Sequence, residues 1–215
     1  MASQFDEFAE RDNIHPQHNL SDTSRESFEK ALADFRQRGG RWFYPDTASN
    51  IPQAIAPPVA FRDFTLTADV VLDNSKASGP VFAYGGQLGG IGLYIDKGKP
   101  VFIVNSLDGQ SSSAAARKSI GDNKVNLQLD VKKVTQRETF SHYAVTLVAN
   151  DETLIDTTID RPIPLYFGIP ETFGVGRDEG SPVLKGYIAG TPFAGELSNV
   201  EFVFPGSAES GGWVH

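Results

Sequence analysis

Residues 81–105 read VFAYGGQLGGIGLYIDKGKPVFIVN, with six glycines set among aromatic and β-branched side chains. That mixture narrows the choices. Val, Ile, Phe and Tyr suit a pleated strand, whereas each glycine weakens a helix interior by about 1 kcal/mol. A dinucleotide or phosphate loop needs strand, glycine turn and then helix, because the phosphate rests on a helix N-terminus. Here the glycines at 85, 86, 89 and 90 lead straight into IGLYID, a second strand-like run, and the Walker lysine spacing is missing. Two readings remain. The glycines serve a strand-to-strand connection that uses positive φ and close backbone approach, or they clear space beside a ligand groove.

The strand pattern continues along the chain. FTLTADVVLD (64–73), KVNLQLDVKKV (124–134), HYAVTLVAN (142–150) and TLIDTTID (153–160) alternate apolar and polar residues, and FGVG (173–176) and ELSNVEFVFPG (196–206) extend the set. DKGK reads as a hairpin turn between IGLYID and PVFIVN, and Asp151–Glu152 as another. Nowhere between these runs is there a long βαβ crossover, so the expected fold is an all-β antiparallel sandwich. A helical prologue precedes it. Phe5, Phe8 and Ala9 recur at helical spacing, Thr23 and Glu26 form a capping box, and Phe28, Leu32 and Phe35 make an apolar stripe ending at Gly39–Gly40. Such a stripe needs a partner, most simply the back of a sheet. Residues 41–58 read as an irregular proline-rich segment, tied over the body by Trp42, Phe43 and Tyr44. The expected division is 1–58 as an N-terminal extension packed on the sandwich, 59–206 as the sandwich and 207–215 as a flexible tail, with 106–123 as a flexible loop.

At 215 residues the chain fits one domain with a substantial core. It has no cysteine, which removes disulfides, thiolate zinc sites and a cysteine nucleophile. Net charge is -8 and no basic tract occurs, so nucleic acid is not an expected partner. No apolar run is long enough to span a membrane, and the polar, acidic start carries no basic n-region, which points to a cytoplasmic protein.

GPVFAYGGQLGGIGLYIDKGKPVFIVN, then TFGVGRDEGSPV, then GYIAGTPFAGELSNVEFVF resemble, in that order, the C-terminal region of a group of bacterial arylsulfatases. FDEFAERDNIHP (5–16) is similar to the segment leading into that region, while residues 15–40 depart from it by placing a helix where the family has a shorter polar connection. The resemblance implies a lectin-like or laminin-G-like domain, that is, a jelly-roll, concanavalin-like sandwich. It does not imply sulfatase chemistry. The family's formylglycine arises from Cys or Ser in a C/S-x-P-S/A-R context, beside a calcium held by acidic residues, and this chain has neither cysteine nor S-x-P-S-R. The Met1 start and self-contained helical opening favour a freestanding relative of that tail over a fragment of a larger enzyme.

The densest polar loop is TFGVGRDEGSPV, 172–183. Arg177 and Asp178 can pair and pin it; Asp178 with nearby carbonyls can hold a structural calcium; or Arg177 can grip a ligand carboxylate, sulfate or phosphate. Tyr84, Tyr94, Tyr166 and Tyr187 flank glycine-bearing segments and suit either packing or a sugar-binding surface. Asn105, at the end of PVFIVN, suits turn capping or ligand recognition. His15 and His18 lie three apart across Pro16 without a third ligand nearby. His142 is the catalytic candidate, as a general base oriented by Glu138 or a tyrosine hydroxyl, against a default of a structural histidine. Asp156 and Asp160 share a strand face, as a glycosidase pair must, but lack aromatic surroundings.

The expectation that follows is an accessory module that binds a small molecule or carbohydrate, or packs on a partner protein domain. It requires no cofactor beyond a possible structural calcium at Asp178. Two alternatives stand beside it. One is a freestanding cyclase, isomerase or lyase with a deep pocket around a strongly shifted titratable group. The other is a structural unit that forms homo-oligomers through an apolar patch at Trp42, Phe43 and Tyr44.

Overall fold

A computed structural model describes residues 40–60, 62–121, 123–136, 141–164, 167 and 171–205. The helical prologue with His15 and His18, together with Glu138, Tyr166 and the tail, lies outside them.

Twelve strands make up the described fold: β1 (Arg41–Tyr44), β2 (Ala48–Ile51), β3 (Phe64–Leu72), β4 (Gly79–Gly86), β5 (Gly89–Asp96), β6 (Lys99–Asn105), β7 (Ser111–Ala115), β8 (Val125–Gln136), β9 (Ser141–Ala149), β10 (Glu152–Ile159), β11 (Phe173–Val175) and β12 (Gly195–Val203). They form two six-stranded sheets. Sheet I has the order β1-β12-β3-β8-β9-β10 and sheet II the order β2-β11-β4-β5-β6-β7. Their pairings are antiparallel, so the chain is an antiparallel β-sandwich. No described helix is long and apolar enough to cross a membrane.

The sequence periods explain the layers. Along β3, Phe64, Leu66, Ala68, Val70 and Leu72 are buried, while the intervening residues are half-buried. Period-two alternation sends one set to the core and the other outward. Phe82 of sheet II meets Phe202 of sheet I edge-to-face at 5.1 Å, and Phe173 meets the same ring at 5.6 Å, so aromatic side chains lock the layers together. β4 and β5 break the alternation: β4 is buried throughout and β5 everywhere but Asp96. A strand buried on both faces must be covered on its outer side as well.

The DKGK turn forms as expected, with φ of 50° at Lys97 and 79° at Gly98, the two positive values of a type I′ hairpin. The β9–β10 turn is centred on Asn150 and Asp151, one residue earlier than the sequence reading. Two segments differ more. Residues 41–51, read as irregular, contain β1 in sheet I and β2 in sheet II. Their alternation is real but hidden, because the three adjacent aromatics differ only in fate: Trp42 is 3% exposed and Phe43 56%. The Trp42 indole N–H donates to the Ile55 carbonyl at 3.2 Å. The loop read over 106–123 contains β7, paired with β6 in unbroken register. Ser and Ala carry no apolar periodicity, so this strand leaves no pattern to read.

Candidate functional site

The glycine-rich stretch is a hairpin. Gly85 pairs with Gly90 and Gly86 with Gly89 across β4 and β5. The glycines do clear space. A Cβ on Gly92 would come within 2.7 Å of the Tyr94 ring and 3.1 Å of the Phe82 carbonyl oxygen, and one on Gly86 within 2.6 Å of Glu171 and 2.7 Å of the Ser181 carbonyl oxygen. The space is filled by the chain itself.

Ser181 belongs to a strap, residues 176–193, that runs between β11 and β12. Its neck is closed by Phe193 N–H donating to Gly176 O at 2.8 Å and Gly190 N–H donating to Asp178 O at 2.7 Å, the compact geometry of an Ω-loop. The strap lays Val183, Leu184 and Tyr187 over Ala83, Tyr94 and Ile103 on the outer face of sheet II, forming a second apolar cluster apart from the main core. Polar bonds fasten it. The Tyr94 hydroxyl donates to Asp178 Oδ2, and the Val183 N–H donates to the same oxygen at 2.9 Å. Asn105 Nδ2 donates to Val183 O at 2.8 Å and to Gly86 O at 3.0 Å. Gln87 N–H donates to Ser181 Oγ at 3.2 Å.

The electrostatics follow from burial. Asp178 is 3% exposed. Loss of solvent pushes its carboxyl up to about 6; the Tyr94 hydroxyl and Val183 N–H act against that rise, and the nearby Glu171 and Glu179 charges add to it. Burial, reinforced by Asp178, raises the Tyr94 phenol far above its ordinary value. Burial first, then Asp178, pushes Tyr187 up to about 12. Glu171 is also raised by desolvation.

Of the residues singled out by sequence, Tyr94 and Asn105 on sheet II and Asp178 and Tyr187 on the strap therefore meet at one place. Tyr84 faces the opposite way, into the inter-sheet core, stacked on Phe167 at 4.0 Å. Arg177 donates to Gly190 O at 3.2 Å and lies 4.0 Å from Glu179, so it does not pair with Asp178. His142 sits half-buried on β9 of sheet I, away from this cluster. One oxygen of Asp178 is already occupied by two donors, and among the described residues no three His, Asp or Glu side chains gather as a metal site.

A second polar place is open. β7 and β10, the last strands of the two sheets, come side by side and leave a groove of about 480 Å³. Ser113, Arg117, Thr153, Leu154, Asp156 and Thr157 line it. Lys118 pairs with Glu152 on its wall, while Arg117 has no ion pair among the described residues. Sequence reading had singled out only Asp156 here. The others become neighbours through the sheet order, which brings β7 and β10 to the same side of the sandwich.

No family model matches the chain, and no curated protein matches it. Its fold is similar to that of solved carbohydrate-binding domains. One is the CBM40 of the Ruminococcus gnavus IT-sialidase bound to alpha2,3 sialyllactose, at 15% identity and a TM-score of 0.51, covering 76% of this chain and 90% of that one. The same CBM40 bound to alpha2,6 sialyllactose aligns at 16% identity and a TM-score of 0.50, over 75% of this chain and 91% of that one. The LG1-3 region of the laminin alpha2 chain is also similar, at 11% identity and a TM-score of 0.49, over 79% of this chain and 31% of that one. The likeness is one of fold. None of these comparisons links the chain to arylsulfatases.

Proposed function

We propose that this chain is a carbohydrate-binding module, with the groove between β7 and β10 as its sugar site. The observation that carries the reading is the groove's openness combined with its chemistry. A pyranose presents a ring of hydroxyls that each donate and accept, and an apolar edge between them. Ser113, Thr153 and Thr157 can do both, Asp156 accepts, Arg117 donates, and Leu154 supplies an apolar flank. The volume is in the ordinary range for a small-molecule site, roughly 300–1,000 Å³. The fold likeness to domains solved with sialyllactose supports the same reading.

An enzyme reading expects a strongly shifted titratable group in a deep pocket. Asp178 has the shift, but from the strap it is turned onto Tyr94 of sheet II rather than toward a substrate-sized space. That favours binding over chemistry at this carboxylate.

The test is calorimetric titration of the intact chain against a panel of neutral and acidic oligosaccharides. Binding is expected, and Arg117→Ala or Asp156→Ala should weaken it by about tenfold or more, the loss of roughly 1.4 kcal/mol. If no sugar binds, or if both variants bind as tightly as the parent, the groove is not a sugar site.

A further inference from the structure

The groove between β7 and β10 holds more charge than a neutral sugar calls for. Arg117, Lys118, Glu152 and Asp156 all line it. Lys118 and Glu152 pair with each other, and their charges cancel. Arg117 and Asp156 are left over. Both are exposed, and neither side chain makes a hydrogen bond or an ion pair among the described residues. Arg41, Arg161 and Arg177 behave differently, for each lies against a carboxylate, of Glu201, Asp108 and Glu179 in turn. An arginine and an aspartate that share a groove without meeting give it one positive wall, on the β7 side, and one negative wall, on β10.

Both walls are fixed at the root. Arg117 follows Ala116, which is buried and whose N–H donates to Pro100 O at 2.8 Å. Asp156 follows the buried Ile155 and stands opposite Thr146 in the β9–β10 pairing. Backbone held in this way sets where each charge starts from before a ligand arrives, which lowers the cost of ordering it on binding.

We propose that the groove selects sugars carrying a single oxyanion, a carboxylate or a sulfate, with that group on Arg117 and a pair of sugar hydroxyls on Asp156. The inference rests on the groove being the sugar site. A guanidinium offers parallel N–H donors to two oxygens of an oxyanion, and such charge-assisted bonds are roughly twice as strong as neutral ones. Asp156 does the opposite work. An ionised carboxylate only accepts, so it takes hydroxyl protons and repels a second anion. One orientation of the ligand satisfies both walls, and the reverse sets like charges together. The chain as a whole has net charge -8 and repels anions at long range, so the attraction has to be local.

Calorimetric titration of the full chain against matched sugars tests this. The set is lactose and cellobiose, the same disaccharides with the terminal hydroxymethyl oxidised to a carboxylate or sulfated, and sialyllactose. An anionic member should bind about tenfold tighter than its neutral parent, and the advantage should shrink as salt is raised. The carboxylate and sulfate arms show which oxyanion the groove takes. Arg117→Gln keeps a donor but loses the charge. It should erase the advantage, costing the anionic sugars about tenfold and the neutral ones less, at an unchanged melting temperature. A disaccharide with a carboxylate on each ring should bind more weakly than the singly charged one, and Asp156→Asn should narrow that gap. Equal affinity for neutral and anionic sugars overturns the inference and leaves the carbohydrate reading standing. An anionic preference that survives Arg117→Gln overturns it too. If no sugar binds, both fall together.

Discussion

The strap-covered face of sheet II and the groove between β7 and β10 hold similar functional groups in opposite circumstances. Where the strap meets sheet II, a carboxylate, an amide and two tyrosines gather, and Asp178 is 3% exposed. In the groove, a carboxylate, a guanidinium and three hydroxyls face outward. Out of water each polar bond is strong and each missing partner costly, so the first set acts as fasteners. In water the same groups contribute little to stability and stay available to a ligand. Residue type alone does not distinguish a site from a fastener; solvent does.

The sharpest way to break the comparison is to remove the fastener. Asp178→Ala strips acceptors from the Tyr94 hydroxyl and the Val183 N–H, and should destabilise the protein by roughly 3 kcal/mol in denaturant unfolding. Hydrogen exchange should rise first along 177–190.

A smaller effect comes from pH. Asp178 sits near 6 when folded against an ordinary 3.8. Between those values the folded protein holds a proton that the unfolded chain has released. Stability should therefore rise as pH falls through that window and fall as pH climbs back, by about 2 kcal/mol with a ceiling near 3. Asp178→Asn should flatten that slope, measured as the melting temperature at pH 7 against pH 4.5.

The smallest effect belongs to the groove. Lys118→Ala breaks an ion pair whose two side chains are 70% and 57% exposed, so unfolding should shift by no more than about 0.5 kcal/mol. A shift above 1 kcal/mol would mean the groove wall is itself a fastener, and the contrast would fail.

Much of the architecture could be read in advance because it was written in period two. The alternation of FTLTADVVLD became β3, and DKGK became the turn its glycine predicts. β1 and β7 escaped for opposite reasons: Trp42, Phe43 and Tyr44 hide alternation under uniform hydrophobicity, while the Ser and Ala of β7 have none to show. The residue cluster was partly legible, since Tyr94, Asn105, Asp178 and Tyr187 were all singled out and do converge. Which side of a wall they stand on was not. Tyr84 and Tyr94 look equivalent beside their glycines, yet one enters the core and the other lies beneath the strap. Arg117, Ser113 and Thr153 meet only after twelve strands have chosen their order, a property no short window contains.

The strap also imposes an order in time. Its bonds join Tyr94 to Asp178 across 84 positions and Asn105 to Val183 across 78, whereas β4, β5 and β6 pair with immediate neighbours. Closing long loops is slow, and the platform that rewards it must already stand. The β4–β6 meander should therefore assemble early, with Tyr94 and Asn105 waiting on its outer face, and the strap should arrive late. On the way out the sequence reverses: the strap lets go while the sheets still hold. Until it arrives, Ala83, Tyr94 and Ile103 on the outer face of sheet II are bare, and a young chain carries an exposed apolar patch that its mature form covers.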